Sequence, residues 1–578
     1  MAYHRQEICY ETDALIIGAG SAGLWAAHSI KKKNKNIRVL LVDKGPASWG
    51  GLMACAGGDY DAVLPDEDID DWIKDWVYYF DGLCDQDLMK TIWSQSYERL
   101  QEYQAWGCTY LADENGQLKG KGVPQRGLEH IKLYVTKEKG SGGLRMAKAL
   151  AAATASEGVE TIGRVYLTDL VKNKDGKVVG AVGFHVRDGS FIRIKAKAVL
   201  VATGLGSWKC SYMKHSSNGE GIAMAYKAGA ELRNFEFCRV WNVPKLFAWE
   251  GQTTLLPLGA HFVNAKGEDF MQRYCPALGG NTDPHYSTIA MALEMRAGRG
   301  PIYFTTDKLR EEDAPVYLPK LGWQKINYER LKNDLGIDFF KSKTEWMPQP
   351  LMSYGGICAD LKGATCVPGL FAAGRCRSID PGVYTGGFSL SSTAVTGHIA
   401  GEAMVDYIHD NHVELEELDE AVVTEFQTGI YEPLGGTGIP YKEVLRAIQG
   451  IVFPYEVSII KSDKSLRNAL HKIETLKEEV LGRMGASDPH YLMKLKETEC
   501  VAFTAEMYIR ASLMRTESRA GHFREDYPDH SEDWLKWIVI RADENNEAQL
   551  RTENVPIERY KFPVERYYQD QFQFQGGN

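Results

Sequence analysis

The sequence predicts an α/β fold built on a Rossmann-like domain, and three observations carry that prediction. First, the apolar run Asp13 to Ile17 precedes a glycine-rich turn, Gly18 to Gly23, and the helical stretch LWAAHSIKKK. Second, another apolar strand, IRVLLVD, ends in an acid. Third, two later apolar strands, AKAVLVATG and GLFAAG, each end in a glycine. With 578 residues the chain is too long for one core, so further domains are expected.

Composition and charge are those of a globular protein and argue against several functions. Apolar residues make up 44% and charged residues 25% of the chain. The net charge is −10, and no basic stripe appears apart from KKKNK, which argues against nucleic-acid binding. No apolar run predicts a transmembrane segment. The polar start MAYHRQEICYETD shows no signal peptide, so we expect a cytoplasmic protein.

The eleven cysteines are scattered and include no Cys-X-X-Cys pair. Zinc sites and iron–sulfur clusters usually take their ligands from closely spaced cysteines or histidines. We therefore expect no metal site that is held by this chain alone.

The glycine-rich turn has the spacing of a dinucleotide fingerprint. Gly18 would form the tight turn, Gly20 would let the backbone approach a pyrophosphate, and Gly23 would let the helix pack on the strand. The start of a helix favours an anion through its unpaired N–H groups and its dipole. Asp43 would accept hydrogen bonds from a ribose hydroxyl. The fingerprint alone does not distinguish FAD from NAD.

A second glycine turn favours FAD. The segment GGFSLSSTAVTGHIAGEAM is a Gly-Gly turn that leads into a helix of small residues. Its first amides, from about Ser389 to Ser391, would face an electron-rich ring edge. Flavoproteins stabilise a reduced flavin with backbone amides of this kind, whereas an NAD domain does not need a second helix start.

Further motifs stand in the order found in one family. They are GGLMACAGG, SNGEGIAMAYKAGAEL, NAKGEDFMQRY, EMRAGRGPIYF, LMSYGGICAD, LFAAGRCRSIDPGVYTGGFSLSSTAVTGHIAG and RTESRAGHFREDYPDHSEDWLKW. Over nearly its whole length the chain resembles the flavoprotein subunits of the fumarate reductase / succinate dehydrogenase superfamily. Within it, the chain is most similar to the adenylylsulfate reductase α-subunit-like branch.

The resemblance implies three domains. A discontinuous FAD-binding domain (1–235 and 351–405) would carry an inserted α+β capping domain (236–350), and a helical C-terminal domain would follow (406–578). The stretches ELDEAVVTEFQTGIYEPL and SDKSLRNALHKIETLKEEVLGRM agree, because both have helical periodicity. The final residues, RYKFPVERYYQDQFQFQGG, predict an extended tail that packs on the protein's own surface or contacts a partner.

The resemblance also implies the cofactor and its ligands. Members with covalent FAD attach it through a histidine after the second strand, and SWGGLMACAGG has none, so we expect non-covalent FAD. The predicted cofactor-binding residues are Gly18, Gly20, Ser21, Ala22, Gly23, Asp43, Lys44, Gly50, Gly51, Ala202, Thr203, Gly204, Gly374, Ser389, Leu390 and Ser391.

The chain departs from the family where the substrate binds. Members active on succinate or fumarate place a histidine before the GGI turn and arginines in two further segments. The matching stretches here, LMSYGG, TTLLPLGAHFVN and DPGVYTGG, lack them, which argues against a C4-dicarboxylate substrate. Adenylylsulfate reductase is an imperfect match too, since its histidine is also missing and Lys245 stands where it has an arginine.

The candidate catalytic residues are Tyr354, Tyr384, Arg375, Lys245 and His261. A tyrosine beside a reduced flavin can donate a proton once a nearby cation lowers its pKa, and Arg375, Arg377 and Lys245 are candidates for that cation. Two of these residues also have a structural interpretation, in which Arg375 would form a salt bridge with Asp380 and His261 would lie at the surface.

These features predict an FAD-dependent oxidoreductase that exchanges electrons between flavin and a small organic substrate. The resemblance implies that it is one subunit of an electron-transfer complex with an iron–sulfur, ferredoxin-like partner. Two alternatives stay open: adenylylsulfate-type sulfur chemistry, and a flavin electron-relay or assembly subunit without a substrate of its own.

Overall fold

The structure, a computed structural model, describes residues 6–46, 51–123, 126–137, 142–210, 216–246, 255–309, 312, 324–338, 340–382 and 385–574. Its strands are β1 Glu7–Ile17, β2 Val39–Asp43, β3 Tyr60–Asp61, β4 Gly120–Val123, β5 Leu128–Tyr134, β6 Glu160–Gly163, β7 Val165–Lys172, β8 Val178–His185, β9 Phe191–Val201, β10 Gly206–Ser207, β11 Leu232–Arg233, β12 Cys238–Pro244, β13 His261–Val263, β14 Ile302–Thr305, β15 Thr344–Ser353, β16 Gly356–Ile357, β17 Leu370–Ala372, β18 Ile460–Lys461, β19 Phe523–Arg524, β20 Lys536–Ala542 and β21 Ala548–Asn554.

Its helices are α1 Ser21–Lys33, α2 Ile69–Tyr79, α3 Gln86–Ala105, α4 Gly142–Ser156, α5 Glu220–Lys227, α6 Met271–Tyr274, α7 Pro284–Arg296, α8 Gln324–Leu335, α9 Phe388–Asp410, α10 Glu420–Tyr431, α11 Tyr441–Val452, α12 Tyr455–Ser458, α13 Asp463–Glu479 and α14 Pro489–Met514. Within the described part of the chain, no helix is both long and apolar enough to cross a membrane.

The main sheet has the order β6-β2-β1-β9-β8-β7, and β17 pairs with β9. Strands β2, β1, β9 and β17 are parallel, and Ile17, Val201 and Ala372 lie side by side where three of them end. Because parallel strands carry ligands at their carboxyl ends, this edge is where the first glycine turn lies. The apolar interior residues of β1 and β9 are buried on both faces of the sheet.

A second, antiparallel sheet contains β10, β12, β13, β14 and β15, and α6 to α8 lie in the same part of the chain. This mixture is the α+β composition expected of the inserted capping domain. Strand β15 passes from this sheet directly to Tyr354 and β16, next to the main domain.

The C-terminal part is mostly helical, as predicted. Helix α13 begins at a capping box in which Ser462 and Ser465 satisfy each other's backbone amides. Sequence reasoning did not predict the hairpin β20–β21, which extends β11 through the pair Leu232 and Ile540. The tail, as far as Phe574, packs on the protein's own surface.

Candidate active site

The first glycine turn has the geometry that the fingerprint predicts. Gly18 has φ +109°, and a Cβ there would lie 2.5 Å from the Ala202 carbonyl oxygen. A Cβ at Gly23 would lie 1.9 Å from the Gly18 carbonyl oxygen. Helix α1 then begins at Ser21 without a side-chain cap. An uncapped helix start between closely packed strand ends suits an anionic group.

Helices α1 and α9 pack backbone against backbone at this site. A Cβ at Gly397 would lie 2.4 Å from the Ala22 carbonyl oxygen, and one at Gly374 would lie 2.6 Å from the Ala22 Cβ. The Thr393 hydroxyl donates a 3.0 Å hydrogen bond to the Ser21 hydroxyl. The start of α1 therefore packs against residues 393–397 of α9.

Helix α9 begins after Gly387, which has φ +91° and provides no side-chain cap. The amides of Leu390 and Ser391 donate to the Gly387 carbonyl oxygen at 2.9 and 3.2 Å. Of the three amides predicted to face the flavin, only the Ser389 amide does not donate to Gly387. Ser389 is therefore the residue that we propose for a contact with the ring.

Asp43, the last residue of β2, and Lys44, which follows it, both make contacts within the protein. The Asp43 carboxylate accepts from the Ala19 and Gly45 amides at 2.8 and 2.7 Å. The Lys44 ammonium pairs with Glu220 and, at 2.7 Å, with Glu497. Both Asp43 oxygens thus accept from backbone amides, and the Lys44 side chain is tied to α5 and α14.

The remaining predicted cofactor residues surround the same sheet edge. Gly204 has φ +80°, and the Thr203 hydroxyl accepts from the Gly221 amide at 3.2 Å. A Cβ at Gly51 would lie 2.9 Å from the Gly20 Cα, so the two backbones are in contact. Gly50 lies outside the described residues.

A buried carboxyl group that sequence reasoning missed lies at the start of α9. A Cβ at Gly387 would lie 2.0 Å from Asp61 Oδ1, and Asp61 is fully buried. Burial, with the nearby charge of Asp59, raises the pKa of Asp61 well above its usual value. A protonated carboxyl group can donate a hydrogen bond to a ligand here.

Tyr354 and Arg375 are brought together, as predicted. The Arg375 guanidinium carbon lies 5.3 Å from the centre of the Tyr354 ring and 5.8 Å from that of Phe388, the first residue of α9. Arg375 also pairs with the Asp380 carboxylate, so its charge is balanced. Burial raises the pKa of Tyr354, contrary to the expected lowering by a neighbouring cation.

Two other candidates, Lys245 and His261, are not placed beside Tyr354. Lys245 is half-exposed and pairs with Glu345 at 2.7 Å, at the opposite end of β15. A strand rises about 3.3 Å per residue, so Glu345 and Tyr354 are about 30 Å apart along it. His261 pairs with Thr305 near that same far end, and its Nε2 lies 3.6 Å from Asp307. The prediction of one shared pocket is thereby corrected for both residues.

The remaining tyrosine and arginine candidates add little to the described pocket. Tyr384 lies outside the described residues. Arg377 is buried and donates to the Ala359 carbonyl oxygen at 3.1 Å, and burial lowers its pKa to about 10.

An Asp–His pair that sequence reasoning did not identify lies near Tyr354. Asp283 caps α7, and its Oδ1 lies 2.6 Å from His285 Nδ1. The Tyr79 hydroxyl donates to Asp283 Oδ2, and the His285 ring centre is 6.2 Å from that of Tyr354. Burial opposes the charged form, yet His285, Arg126 and Tyr79 hold the pKa of Asp283 down to about 2. The signal was Asp-Pro-His at a helix start, in TDPHYS.

Among the described residues, no group of His, Cys, Asp or Glu side chains is arranged to hold a metal ion. The backbone contacts at Gly18, Gly20 and Gly51 and the uncapped start of α1 instead fit a dinucleotide.

Comparison with known proteins agrees with this geometry. Residues 13–393 match the family model described as FAD binding domain, and residues 450–568 match the one described as fumarate reductase flavoprotein C-term. One subunit of the fumarate reductase (CoM/CoB) of Methanothermobacter marburgensis is 26% identical over 92% of this chain and 97% of its own length.

Two solved structures share the fold. The FrdA chain of E. coli quinol fumarate reductase superposes with a TM-score of 0.85, at 22% identity, over 97% of this chain and 99% of that one. Adenylylsulfate reductase of Archaeoglobus fulgidus gives 0.81, at 24% identity, over 97% and 98%. The chain therefore belongs to the fumarate reductase / succinate dehydrogenase flavoprotein superfamily of FAD-dependent oxidoreductases.

Proposed function

We propose that this chain is the flavoprotein subunit of an electron-transfer complex. In it, non-covalently bound FAD exchanges a hydride with a small organic substrate that is not a C4-dicarboxylate. The FAD supplies two-electron chemistry when bound. The glycine turns would hold its pyrophosphate, and the first turn of α9 would contact its ring.

The pairing of the charged residues near Tyr354 supports a substrate other than a C4-dicarboxylate. Arg375 is paired with Asp380, and Arg126 lies 4.0 Å from Asp283, which is itself bound to His285. Two substrate carboxylates need cations that are not already neutralised, because buried charges must be paired. A neutral or singly charged substrate, such as an enoate or an acyl thioester, fits this balance better.

The relationship to the Methanothermobacter protein supports a separate electron partner, because that relative is one subunit of a larger enzyme. The cysteines of the described residues are free thiols, and no group of side chains there is arranged to hold a metal ion. An external carrier would then deliver electrons to the FAD or accept them from it. We propose an iron–sulfur protein for that role.

The direct test is anaerobic reoxidation of the dithionite-reduced, FAD-loaded protein. The panel contains fumarate, monocarboxylic enoates, enoyl thioesters and adenylylsulfate, and flavin absorbance is the readout. We expect reoxidation by an enoate or thioester and none by fumarate. Fastest reoxidation by fumarate would contradict the substrate proposal, adenylylsulfate would favour sulfur chemistry, and no response would favour a relay subunit.

A matched test addresses the cofactor linkage. Acid precipitation of the loaded protein is expected to release the yellow chromophore into the supernatant. A chromophore that stays with the denatured chain would show a covalent bond.

A further inference from the structure

His285 has a ring nitrogen without a partner. The residue is 2% exposed, and its Nε2 forms no hydrogen bond within the described residues. Buried polar atoms in folded proteins nearly always have a partner. An unpaired nitrogen in this position therefore indicates a partner other than the described residues.

The hydrogen bond at Nδ1 determines which ring nitrogen of His285 can exchange a proton. An ionised carboxylate only accepts hydrogen bonds, so the Asp283 oxygen 2.6 Å from Nδ1 requires a hydrogen on Nδ1. Nε2 is then the position that gains or loses a proton. Tyr79 donates to the second Asp283 oxygen, and the Tyr568 hydroxyl accepts from the Asp283 amide at 3.0 Å. These contacts hold the carboxylate in place.

The pair is connected to the flavin side through two described contacts. His285 and Tyr354 have ring centres 6.2 Å apart, and the Arg375 guanidinium is close to the rings of both Tyr354 and Phe388. Gly521 approaches His285 from another side, where a Cβ would lie 3.0 Å from the His285 Cβ. The ring is therefore held between the C-terminal part and the aromatic groups that lead to α9.

We propose that His285 is a catalytic residue whose Nε2 exchanges a proton with the substrate, and that Asp283 is its positioning residue. This proposal rests on the proposed hydride exchange. During reduction of a carbon–carbon double bond, one carbon accepts a hydride from reduced FAD. The neighbouring carbon accepts the Nε2 proton, so an N–H bond breaks as a C–H bond forms. The imidazole is left neutral, and a solvent proton restores it.

Several charged or titratable groups surround His285 and bear on its proton. They are Asp283, Tyr79, Arg126, Tyr354, Arg375, Asp380, Arg239 and Tyr568, with His522 beyond Gly521.

Two substitutions separate the roles of the two ring nitrogens. His285→Asn keeps an amide donor near the position of Nδ1 and removes Nε2, whereas His285→Gln keeps a non-titrating N–H near Nε2. The control is His398→Gln, because His398 is a largely buried histidine of α9 bonded to Ser29 at 2.7 Å. FAD content and flavin spectrum are measured for each variant, so that a misfolded protein is recognised.

With the compound that reoxidises the wild type, we expect both His285 variants to react about 10²- to 10⁴-fold more slowly. The wild-type rate should fall as pH rises and the donor loses its proton, and this fall should be missing in His285→Gln. Asp283→Asn should also slow the reaction and change its pH profile, because the carboxylate that orients the ring is lost. Rates within threefold of the wild type with an unchanged pH profile would overturn the proposal.

A crystal structure of the FAD-loaded wild type gives a readout that does not depend on turnover. We expect His285 Nε2 to face the space above the flavin ring, with a bound molecule or ordered water within hydrogen-bond distance. A bond from Nε2 to another side chain of the protein would overturn the proposal. Failure of every compound in the panel would count against the proposed function alone, since the crystal structure still decides the position of Nε2.

Discussion

Individual buried carboxyl groups in this protein differ in pKa because their neighbours carry different charges. Glu497 and Asp61 are both almost completely buried. Lys44 and Lys209 hold the pKa of Glu497 down to about 2 against the effect of burial. Asp61 has Asp59 beside it, so burial and repulsion act together and raise its pKa. The two residues should therefore affect stability in opposite directions as pH changes.

Glu497→Gln should destabilise the fold by about 3–5 kcal/mol at neutral pH, because it leaves buried ammonium groups without their carboxylate. The stabilisation from Glu497 is complete above its unfolded pKa of about 4.5 and is lost as pH falls towards about 2. Thermal unfolding at several pH values measures both effects. Glu499→Gln on the same helix is the control, since Glu499 forms a more exposed pair with Lys496 worth at most about 1 kcal/mol. Equal losses in both variants would contradict the prediction.

Asp61→Asn should stabilise the folded protein, and more so at higher pH. The folded wild type holds a proton on Asp61 above its usual pKa of 3.8, whereas the unfolded chain does not. Stability of the wild type therefore falls as pH rises from that value, and an amide removes this effect. Unfolding temperatures of both proteins between pH 5 and pH 8, with and without FAD, test this. A difference between them that shrinks with rising pH would refute it.

At the scale of elements, sequence reasoning succeeded where backbone contact requires a particular residue. The turn at Gly18 to Gly23 was predictable because a Cβ at Gly23 would collide with the Gly18 carbonyl oxygen. The positions of Lys245 and His261 were not, because they depend on the pairing of β12, β14 and β15 over long distances.

The surroundings of the Asp–His pair could not be predicted from the sequence either. Asp283 and His285 are two positions apart, and their spacing at a helix start was visible in the sequence. Their neighbours Tyr79, Arg126 and Tyr568 come from three distant segments. Only the fold brings these groups together, and the unpaired Nε2 has no sequence signal at all.

Packing of α1 against α9 leads to a prediction about cofactor binding. Gly397→Ala would place a Cβ 2.4 Å from the Ala22 carbonyl oxygen, so the two helices must move apart. We expect purified Gly397→Ala protein to contain much less FAD and to bind added FAD more weakly. The control is Gly429→Ala in α10, where the new Cβ meets nothing within 4 Å and helix propensity improves by up to about 1 kcal/mol. Equal FAD content in the two variants would contradict this interpretation.

At the scale of the whole molecule, the C-terminal tail joins parts that are distant in sequence. The Phe572 ring stacks on Tyr286 of α7 at 4.2 Å. The Gln569 amide donates to Asp81, after α2, at 2.9 Å, and the Gln573 amide donates to the Tyr274 carbonyl oxygen of α6 at 2.8 Å. The tail thus ties the segment that carries Asp283 and His285 to the main domain. Its removal should act on the active site without touching the glycine turns.

Deletion of residues 566–578 should therefore leave FAD binding largely intact while it loosens α6 and α7. Tyr568 is fully buried, and its hydroxyl accepts from the Asp283 amide, so the deletion removes both packing and a hydrogen bond beside His285. We expect faster hydrogen exchange in residues 271–296 and slower flavin reoxidation by the active compound. Tyr568→Phe keeps the ring and loses only the hydroxyl, so it should cost about 1 kcal/mol and change exchange far less. Wild-type exchange rates in α6 and α7 of the truncated protein would contradict this prediction, because they would show that contacts other than the tail stabilise these helices.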